Sequence, residues 1–125
     1  MKQTISLLLA LLLVFGLTAC STKTEAPKEP VSFQVIVTDL EGNETAFEYS
    51  SNAASVGEAL AAEGLIEGHE TQYGLYIDTV NGMTADWDND QTYWAFYVNG
   101  EYAATGIDAT AIVADAAYGL VLTKG

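Results

Sequence analysis

The first regular pattern in the chain is an alternation of hydrophobic and polar residues from Val31 to Thr38. The hydrophobic positions are Val31, Phe33, Val35 and Val37. This period of two is typical of a strand with one buried face. A turn-like sequence follows at 39–43, and the alternation resumes around Phe47 and Tyr49. Residues 31–50 are therefore predicted to form a β-hairpin.

The period changes to that of a helix after residue 54. Ser55 and Glu58 have the spacing of a capping box, with serine at the N-cap and glutamate three residues later. Ala59 and Leu60 fall on one helical face, and Gly64 is typical of the position that follows a helix end. A helix of about two to three turns is predicted here, and it must pack on a sheet to be stable.

The second half of the chain contains the remaining strand signals. The predicted strands are Leu75–Val80, Thr92–Val98 and Ala117–Leu122. Asn81-Gly82 is predicted to close a turn, and Asn99-Gly100 is the preferred pair for a two-residue type I′ hairpin. The polar stretches 67–72 and 84–91 are predicted to be loops. Five or six strands with one short helix indicate a small α+β domain.

Aromatic residues are concentrated in one part of the chain. Eight of the 13 aromatic residues lie between positions 73 and 102. Within the strand Thr92–Val98, Trp94 and Phe96 share one face, while Tyr93 and Tyr97 share the other. The first face is predicted to contribute to the core.

The Asn99-Gly100 turn predicts the register of the hairpin that it closes. A two-residue turn places Tyr102 opposite Tyr97 and Ala104 opposite Ala95. The tyrosines would then surround a floor of two alanines, forming a shallow aromatic groove.

Ligand binding is assigned to this groove. Tyrosine rims suit flat, amphipathic ligands, so Tyr93, Tyr97 and Tyr102 are the candidate binding residues, together with Trp87 from the acidic segment. The alternative is a central strand covered on both faces, in which these tyrosines fill the core and expose only their hydroxyl groups.

The N-terminus resembles a bacterial lipoprotein signal peptide. Lys2 precedes a largely apolar run from Ile5 to Ala19, which is shorter than the roughly 20 residues needed to span a bilayer. The run ends in the residues LTAC, similar to a lipobox, in which cleavage falls before the cysteine and its thiol takes a diacylglycerol. The alternatives are a plain secretory signal with an incidental Cys20, or an N-terminal anchor helix.

This resemblance divides the chain into three parts. Residues 1–19 are the expected signal peptide, residues 20–30 the lipidated Cys20 and a flexible tether with two prolines, and residues 31–125 the folded domain. The expected location is the extracytoplasmic face of the cell membrane, with the lipid on Cys20 as the membrane contact. Two or more acyl chains give stable anchoring.

The charge of the chain excludes one class of partner. The chain has 17 acidic residues, 4 lysines and no arginine, for a formal net charge of -13. Because nucleic-acid binding needs a basic surface that neutralises phosphates, no nucleic-acid partner is expected. Residues 31–125 contain 15 of the acids and one lysine, Lys124, so the acidity belongs to the domain.

A calcium site is the second candidate for chemistry. Asp86, Asp88 and Asp90 have the spacing of the first ligands of a calcium loop, and a loop can bring three such carboxylates together. The EF-hand pattern fails, because it needs glycine and glutamate where the chain has Gln91 and Tyr97. A simpler calcium site remains open, completed by backbone carbonyls or by Glu101. The alternative is a solvated acidic turn.

Catalysis has little support in the sequence. His69 is the only histidine, and it is predicted to lie in an exposed loop. The interpretations of His69 as a zinc ligand or an axial cobalt ligand stay minor, because one histidine needs carboxylate help to hold zinc. No nucleophile motif or phosphate-binding loop is present. The protein is therefore predicted not to be an enzyme.

The segments around the helix and the aromatic strand resemble a known family. They are SVGEALAAEGLIEG (55–68) and YGLYIDTVNGMTADWDNDQTYWAFYVNGEYAATGID (73–108). They look like DUF4430, a bacterial domain of unknown function that is similar to the C-terminal β-domain of transcobalamin and intrinsic factor. The resemblance covers about residues 31–124. It implies a small mixed, β-grasp-like sheet with one helix.

The resemblance also implies a function. In the vitamin carriers this domain covers one side of cobalamin, and a large helical domain supplies the rest. The expectation is a non-catalytic ligand-binding lipoprotein, with cobalamin or another corrinoid as the first ligand and a helical protein as the partner that completes the site. The alternatives are a calcium- or metal-binding accessory domain and a protein-interaction module.

Overall fold

The computed structural model describes residues 28–125. The signal peptide, Cys20 and most of the tether predicted from the sequence lie outside the described residues. Within residues 28–125, no helix has both the length and the apolar character that crossing a membrane requires.

The described residues form eight strands, two short α-helices and one 3₁₀ turn. The strands are β1 (Val31–Thr38), β2 (Glu44–Ser51), β3 (Ile66–Thr71), β4 (Gly74–Val80), β5 (Met83–Thr84), β6 (Thr92–Val98), β7 (Glu101–Tyr102) and β8 (Ala117–Lys124). The helices are α1 (Val56–Ala62) and α2 (Trp87–Asp90), and the 3₁₀ turn is Ile107–Ala109.

Five strands form the main sheet, in the order β2-β1-β8-β6-β7. The predicted hairpin of residues 31–50 is confirmed, since β1 and β2 pair antiparallel with Phe33 opposite Tyr49. β1 and β8 pair in parallel, whereas β8 and β6 are antiparallel. The sheet is therefore mixed, as the family resemblance implied.

One face of the main sheet carries the core. Val35 and Val37 of β1 and Tyr118 and Leu120 of β8 lie on this inner face, and none is more than 1% exposed. α1 and the second sheet supply apolar side chains to the same cluster, including Leu60 at 0% exposure. Burial of such apolar area provides most of the driving force for folding.

The helix α1 begins and ends as its sequence predicts. The Ser55 hydroxyl accepts a hydrogen bond from the Glu58 backbone N–H at 3.1 Å, and Gly64 has a φ of +76°. Gly57 faces the 3₁₀ turn, where a Cβ would lie 3.1 Å from the backbone of Asp108. The helix thus approaches the turn closely because residue 57 has no side chain.

The second sheet corrects a prediction. Residues 67–72 were expected to be a loop, but Ile66–Thr71 is a strand, β3, in a three-stranded sheet of order β3-β4-β5. A β-bulge lies between Glu67 and Gly68, and here Asp78 of β4 is the extra residue. Gly68 suits this position because a Cβ would overlap the Tyr76 carbonyl oxygen.

The acidic segment is also more regular than predicted. Residues 84–91 were expected to be a loop, but they include β5 residue Thr84 and the single helical turn α2. Asp86 is the N-cap of α2, and Gln91 ends it with a φ of +59°. A short polar sequence with an aspartate at the N-cap can form such a turn without any hydrophobic periodicity.

The predicted fold class is confirmed. The described residues form an α+β domain with one short amphipathic helix on a mixed sheet, as expected. The strands are divided between two sheets, because the β3–β4 hairpin pairs with β5 and does not join the main sheet.

Candidate functional site

The hairpin of β6 and β7 has the predicted register. Tyr97 lies opposite Tyr102, and Asn99 and Gly100 have φ values of +50° and +84°, as a type I′ turn requires. The predicted pairing of Ala95 with Ala104 is wrong, because β7 ends at Tyr102 and leaves the sheet. β8 pairs along the other edge of β6.

Four aromatic side chains lie along this hairpin and the preceding helical turn. We call them the aromatic surface: Trp87 of α2, Tyr93 and Tyr97 of β6, and Tyr102 of β7. The ring centroids of Trp87 and Tyr93 are 6.1 Å apart, and those of Tyr97 and Tyr102 are 5.6 Å apart. Both pairs are edge-to-face, a favourable arrangement for aromatic rings. Trp87 is 50% and Tyr102 67% exposed, while the other two are half-buried.

Tyr93 and Tyr97 lie on the outer face of the main sheet, opposite the core face. Ala95 lies between them on the same strand and is only 1% exposed. Part of the predicted floor is therefore present, with one alanine. Because both tyrosines keep part of their surface exposed, the alternative of a strand fully covered on both faces does not describe this hairpin.

A shallow cavity of about 200 Å³ adjoins Tyr97 on the outer face. Its lining includes Ile36 of β1 and Val121 of β8, and Thr38 and Glu44 lie at its rim. Gly119 lies opposite Tyr97, where a Cβ would be 3.2 Å from the Tyr97 Cβ. Absence of a side chain at 119 leaves an apolar depression beside the aromatic surface.

The acidic segment does not bring its three predicted ligands together. The Asp86 carboxylate accepts hydrogen bonds from the backbone N–H and side-chain amide of Asn89, at 3.2 and 2.6 Å. The Asp90 carboxylate accepts one from the Thr92 N–H at 3.1 Å, and Asp88 is exposed. Among residues 28–125, no group of three His, Cys, Asp or Glu side chains is placed to hold a metal ion. In the described structure the segment forms a helical turn, in which the Asp86 and Asp90 carboxylates accept hydrogen bonds from nearby backbone N–H groups.

His69 lies on a strand and has a defined partner. Its Nδ1 donates a hydrogen bond to the Asp78 carboxylate at 2.7 Å, and its ring centroid is 5.3 Å from that of Tyr76. The predicted exposure is confirmed, but the predicted loop is wrong, since β3 contains this residue. The bulge brings Asp78 to His69, in keeping with the tendency of bulges to re-aim side chains.

A second aromatic feature lies between the two sheets, and we call it the β4–β7 cleft. It has a volume of about 310 Å³. Leu75 and Tyr76 of β4 form one wall, and the segment from Tyr102 to Ile107 forms the other. Tyr93 also lines the cleft, which therefore shares Tyr93 and Tyr102 with the aromatic surface. Trp94 and Phe96 form the floor, at 7% and 8% exposure.

A larger, open depression of about 430 Å³ lies over β1 and β2. Its lining is mainly polar and includes Gln34, Glu48 and Asp115. Burial raises the pKa of the Tyr49 phenol at this site above its ordinary value of 10.0, and the Glu63 carboxylate raises it further. Tyr49 therefore stays neutral at physiological pH, and the depression offers neither an apolar platform nor an activated nucleophile.

Comparison with known proteins identifies the family. The model of the domain of unknown function DUF4430 matches residues 53–116, about half of the chain. The chain belongs to the DUF4430 family. The matched segment begins just before α1 and contains both the aromatic surface and the β4–β7 cleft.

Two solved structures are similar to this DUF4430 protein. A candidate metal-binding protein from Ruminococcus gnavus ATCC 29149 is 35% identical, with a TM-score of 0.72, and the match covers 76% of this chain and 98% of that one. Haptocorrin in complex with Cbi is 20% identical, with a TM-score of 0.58, and the match covers 78% of this chain and 26% of that one. No curated protein sequence matches the chain.

These likenesses confirm the expected relationship at two levels. The Ruminococcus gnavus protein shares the whole domain, while the likeness to haptocorrin shows the fold alone and confirms the predicted resemblance to the β-domain of the vitamin carriers. The two neighbours are a candidate metal binder and a protein in complex with Cbi, which is consistent with a ligand-binding module.

Sequence reasoning missed two residues of this DUF4430 domain that the structure places prominently. Tyr76 forms a wall of the β4–β7 cleft, and Asp78 pairs with His69. A signal for the bulge was present, since Ile77 and Val80 are both buried although their spacing of three does not fit a regular strand.

Proposed function

We propose that the protein is a non-catalytic ligand-binding module, held at the extracytoplasmic face of the cell membrane by a lipid on Cys20. The anchor is supported by the lipobox-like sequence at the end of the apolar N-terminal run. The binding role is supported by the aromatic surface, the single observation on which this proposal depends.

The aromatic surface has the features of a platform for a flat ligand. Two edge-to-face ring pairs flank the buried Ala95, and the apolar depression beside Tyr97 extends the contact area across β8 and β1. Tyrosine and tryptophan provide large contact areas at low conformational cost and keep a polar group for hydrogen bonding. A ligand with one broad apolar face and polar edges suits this surface.

Cobalamin or another corrinoid is the first ligand proposed. Such a molecule is broad, flat and amphipathic, and a protein of the same fold, haptocorrin, has been crystallised in complex with Cbi. The chain covers 26% of haptocorrin, so the aromatic surface would bind one side of the ligand. A helical protein partner is proposed to cover the other side.

A titration of the purified full-length chain with cobalamin tests this proposal. Binding should change the visible spectrum of cobalamin and quench the fluorescence of Trp87. Tyr97→Ala should weaken binding about 10-fold, since an aromatic side chain in contact with a ligand contributes on the order of 1 kcal/mol or more. Tyr73→Ala is the matched control, because Tyr73 is 90% exposed at the β3–β4 turn.

One outcome would contradict the corrinoid proposal. It is that neither the visible spectrum of cobalamin nor the fluorescence of Trp87 changes, even at high micromolar cobalamin. Co-purification of a helical protein after membrane solubilisation, lost in Tyr97→Ala, would support the partner. Release of the chain from membranes without detergent would contradict the lipid anchor.

Cation binding is the second candidate function, and the similarity to a candidate metal-binding protein at 35% identity favours it. The proposed ligands are Asp86, Asp88 and Asp90, with calcium as the first ion. The Asp86 and Asp90 carboxylates have hydrogen-bond partners in the described structure, so binding requires this turn to rearrange. Saturating calcium should therefore raise the melting temperature and alter the environment of Trp87.

A melt in calcium and in chelator distinguishes the two candidates. Wild type should gain stability with calcium by mass action, and Asp88→Asn should lose most of that gain. Glu41→Gln also removes one negative charge, but in the β1–β2 loop, so it should retain the calcium-dependent rise in melting temperature. An unchanged melting temperature of the wild type removes the calcium candidate and leaves the aromatic surface unaffected.

A further inference from the structure

The β4–β7 cleft is a second binding site candidate, which borders the aromatic surface at Tyr93 and Tyr102. Its volume of about 310 Å³ lies at the lower end of the range for small-molecule sites. Its floor consists of Trp94 and Phe96 from the inner face of β6, whereas Tyr93 and Tyr97 project their side chains from the outer face. The floor of the cleft and the aromatic surface therefore use opposite faces of β6, and Tyr93 and Tyr102 border both.

Three hydrogen bonds stabilise the floor and walls of the cleft. The indole N–H of Trp94 donates to the Asp78 carbonyl at 3.2 Å, which fixes the floor to β4. The Asp108 carboxylate accepts a hydrogen bond from the Leu75 N–H at 3.1 Å, which joins the two walls. The Thr110 hydroxyl donates to the Gly106 carbonyl at 2.8 Å. A cleft held in this way loses little conformational entropy when a ligand enters.

Glycines allow the walls to approach at one end of the cleft. A Cβ at Gly74 or Gly106 would lie 3.0 or 3.1 Å from the Asp108 carboxylate oxygen Oδ1. Gly74 also has a φ of +109°, which L-amino acids rarely adopt. The carboxylate of Asp108 therefore lies beside Leu75 and Gly106, two residues that line the cleft.

The charge of this site selects the class of ligand. None of the cleft residues is basic, Asp108 adds a carboxylate, and residues 31–125 contain 15 acids against one lysine. Aromatic rings attract cations through the negative potential of their faces. An anion would meet repulsion here without a cationic partner, whereas an organic cation would find an aromatic floor and, beside the lining residues Leu75 and Gly106, the Asp108 carboxylate.

We infer that the β4–β7 cleft binds an organic cation, with an ammonium group near Asp108 and an apolar body against Tyr76 and Trp94. The inference does not require a corrinoid, and the residues that define it, Tyr76, Trp94 and Asp108, are not part of the aromatic surface. It assigns the cleft to quaternary or protonated amines that carry an aromatic or branched aliphatic group.

The two tryptophans of the chain allow the two sites to be observed separately. In a ¹⁵N-labelled sample of the full-length chain, the indole N–H of Trp94 reports on the cleft and that of Trp87 on the aromatic surface. Benzyltrimethylammonium should shift the Trp94 signal in a saturable way and leave that of Trp87 in place. Benzenesulfonate, an anion of similar shape, should shift neither.

Variants separate the contributions of the ring and the charge. Tyr76→Ala should weaken benzyltrimethylammonium binding about 10-fold, which is the size of a desolvated cation–π contact. Tyr76→Phe should bind within about 2-fold of wild type. Asp108→Asn keeps an acceptor for the Leu75 N–H but removes the charge, so it should weaken binding and reduce its salt dependence. Tyr73→Ala should bind as wild type.

The inference is overturned by any of three results. The first is the absence of a saturable Trp94 shift up to about 10 mM cation, a concentration far above the dissociation constant of a typical specific complex. The second is benzenesulfonate binding as tightly as the cation. The third is a folded Tyr76→Ala variant that binds the cation as tightly as wild type. The indole spectrum itself shows whether each variant is folded, because the Trp94 signal depends on its hydrogen bond to Asp78.

Discussion

Several aspartates in this domain, including Asp39 and Asp86, accept hydrogen bonds from backbone groups close to them in sequence. Asp39 accepts hydrogen bonds from the N–H groups of Glu41 and Asn43 at 2.9 Å, and Asp86 does the same for Asn89. Aspartate competes well for nearby N–H groups because its side chain is short. The spacing of Asp86 and Asp90 predicted that both would coordinate one calcium ion. In the folded turn each carboxylate instead accepts hydrogen bonds from a different backbone N–H group.

Asp39 carries a prediction for the pH dependence of stability. Hydrogen bonds from the Asn43 backbone, the Asn43 side chain and Glu41 hold the pKa of the Asp39 carboxyl below its ordinary value of 3.8. A carboxyl group with a lowered folded-state pKa stabilises the fold above its unfolded pKa, and this contribution is lost as the pH falls through the folded pKa. Asp39→Asn should thus lower the urea midpoint at pH 7.

The difference between wild type and Asp39→Asn should shrink as the pH falls from 3.8 through the lowered folded-state pKa of Asp39, because the wild-type carboxylate then becomes protonated and loses its charge. Asp88→Asn, which removes an exposed carboxylate, is the control and should show no such convergence. A difference that stays constant from pH 7 into this acidic range would contradict the assigned role of the Asp39 hydrogen bonds.

Elements with strong local signals were predictable from the sequence. The alternation in β1, the serine cap of α1 and the turns at Asn81-Gly82 and Asn99-Gly100 all fold as expected, with positive φ at all four turn residues. In each case the decisive interactions lie within a few residues, so a single segment carries the information.

Elements that depend on distant partners were not predictable. β3 consists almost entirely of exposed polar residues and exists because β4 pairs with it. The β4–β7 cleft requires Asp108 to bond Leu75, which lies 33 positions away. Neither feature has a periodic signal, because what stabilises it is contact with another segment.

Gly57 gives a prediction at the level of packing between elements. In an isolated helix, glycine to alanine is favourable by about 1 kcal/mol. Here a Cβ at residue 57 would lie 3.1–3.2 Å from backbone atoms of Ile107 and Asp108. Gly57→Ala should therefore destabilise the domain by about 1–3 kcal/mol, the cost of overpacking, as measured by urea unfolding.

Ala61 provides the matched control in the same helix, because its side chain is exposed. Ala61→Gly should cost about 1 kcal/mol through helix propensity alone. If Gly57→Ala were more stable than wild type, the close approach of α1 to the 3₁₀ turn would be excluded as a constraint on the fold.

At the scale of the whole molecule, the charge is strongly one-sided. The chain has a net charge of -13, and the folded domain holds nearly all of its acidic groups close together. Self-repulsion of this kind keeps a protein soluble but destabilises its compact state. It also favours cationic over anionic ligands at every site on the surface, including the cleft.

Salt should therefore stabilise this protein. Raising NaCl from about 10 mM to about 1 M shortens the screening length from ~30 to ~3 Å, and a gain of about 1 kcal/mol would raise the melting temperature by roughly 4–8 °C. The same change at an acidic pH at which the carboxylates are protonated should have a smaller effect. A melting temperature that falls with salt at pH 7 would contradict the role given to self-repulsion.

The central claim is that the aromatic surface binds a flat ligand. The most direct measurement is a crystal structure of the chain grown in saturating cobalamin. Ligand density is expected against the Tyr97 and Tyr102 rings, extending over the depression at Gly119. Density for cobalamin elsewhere on the domain, with these two rings open to solvent, would contradict it.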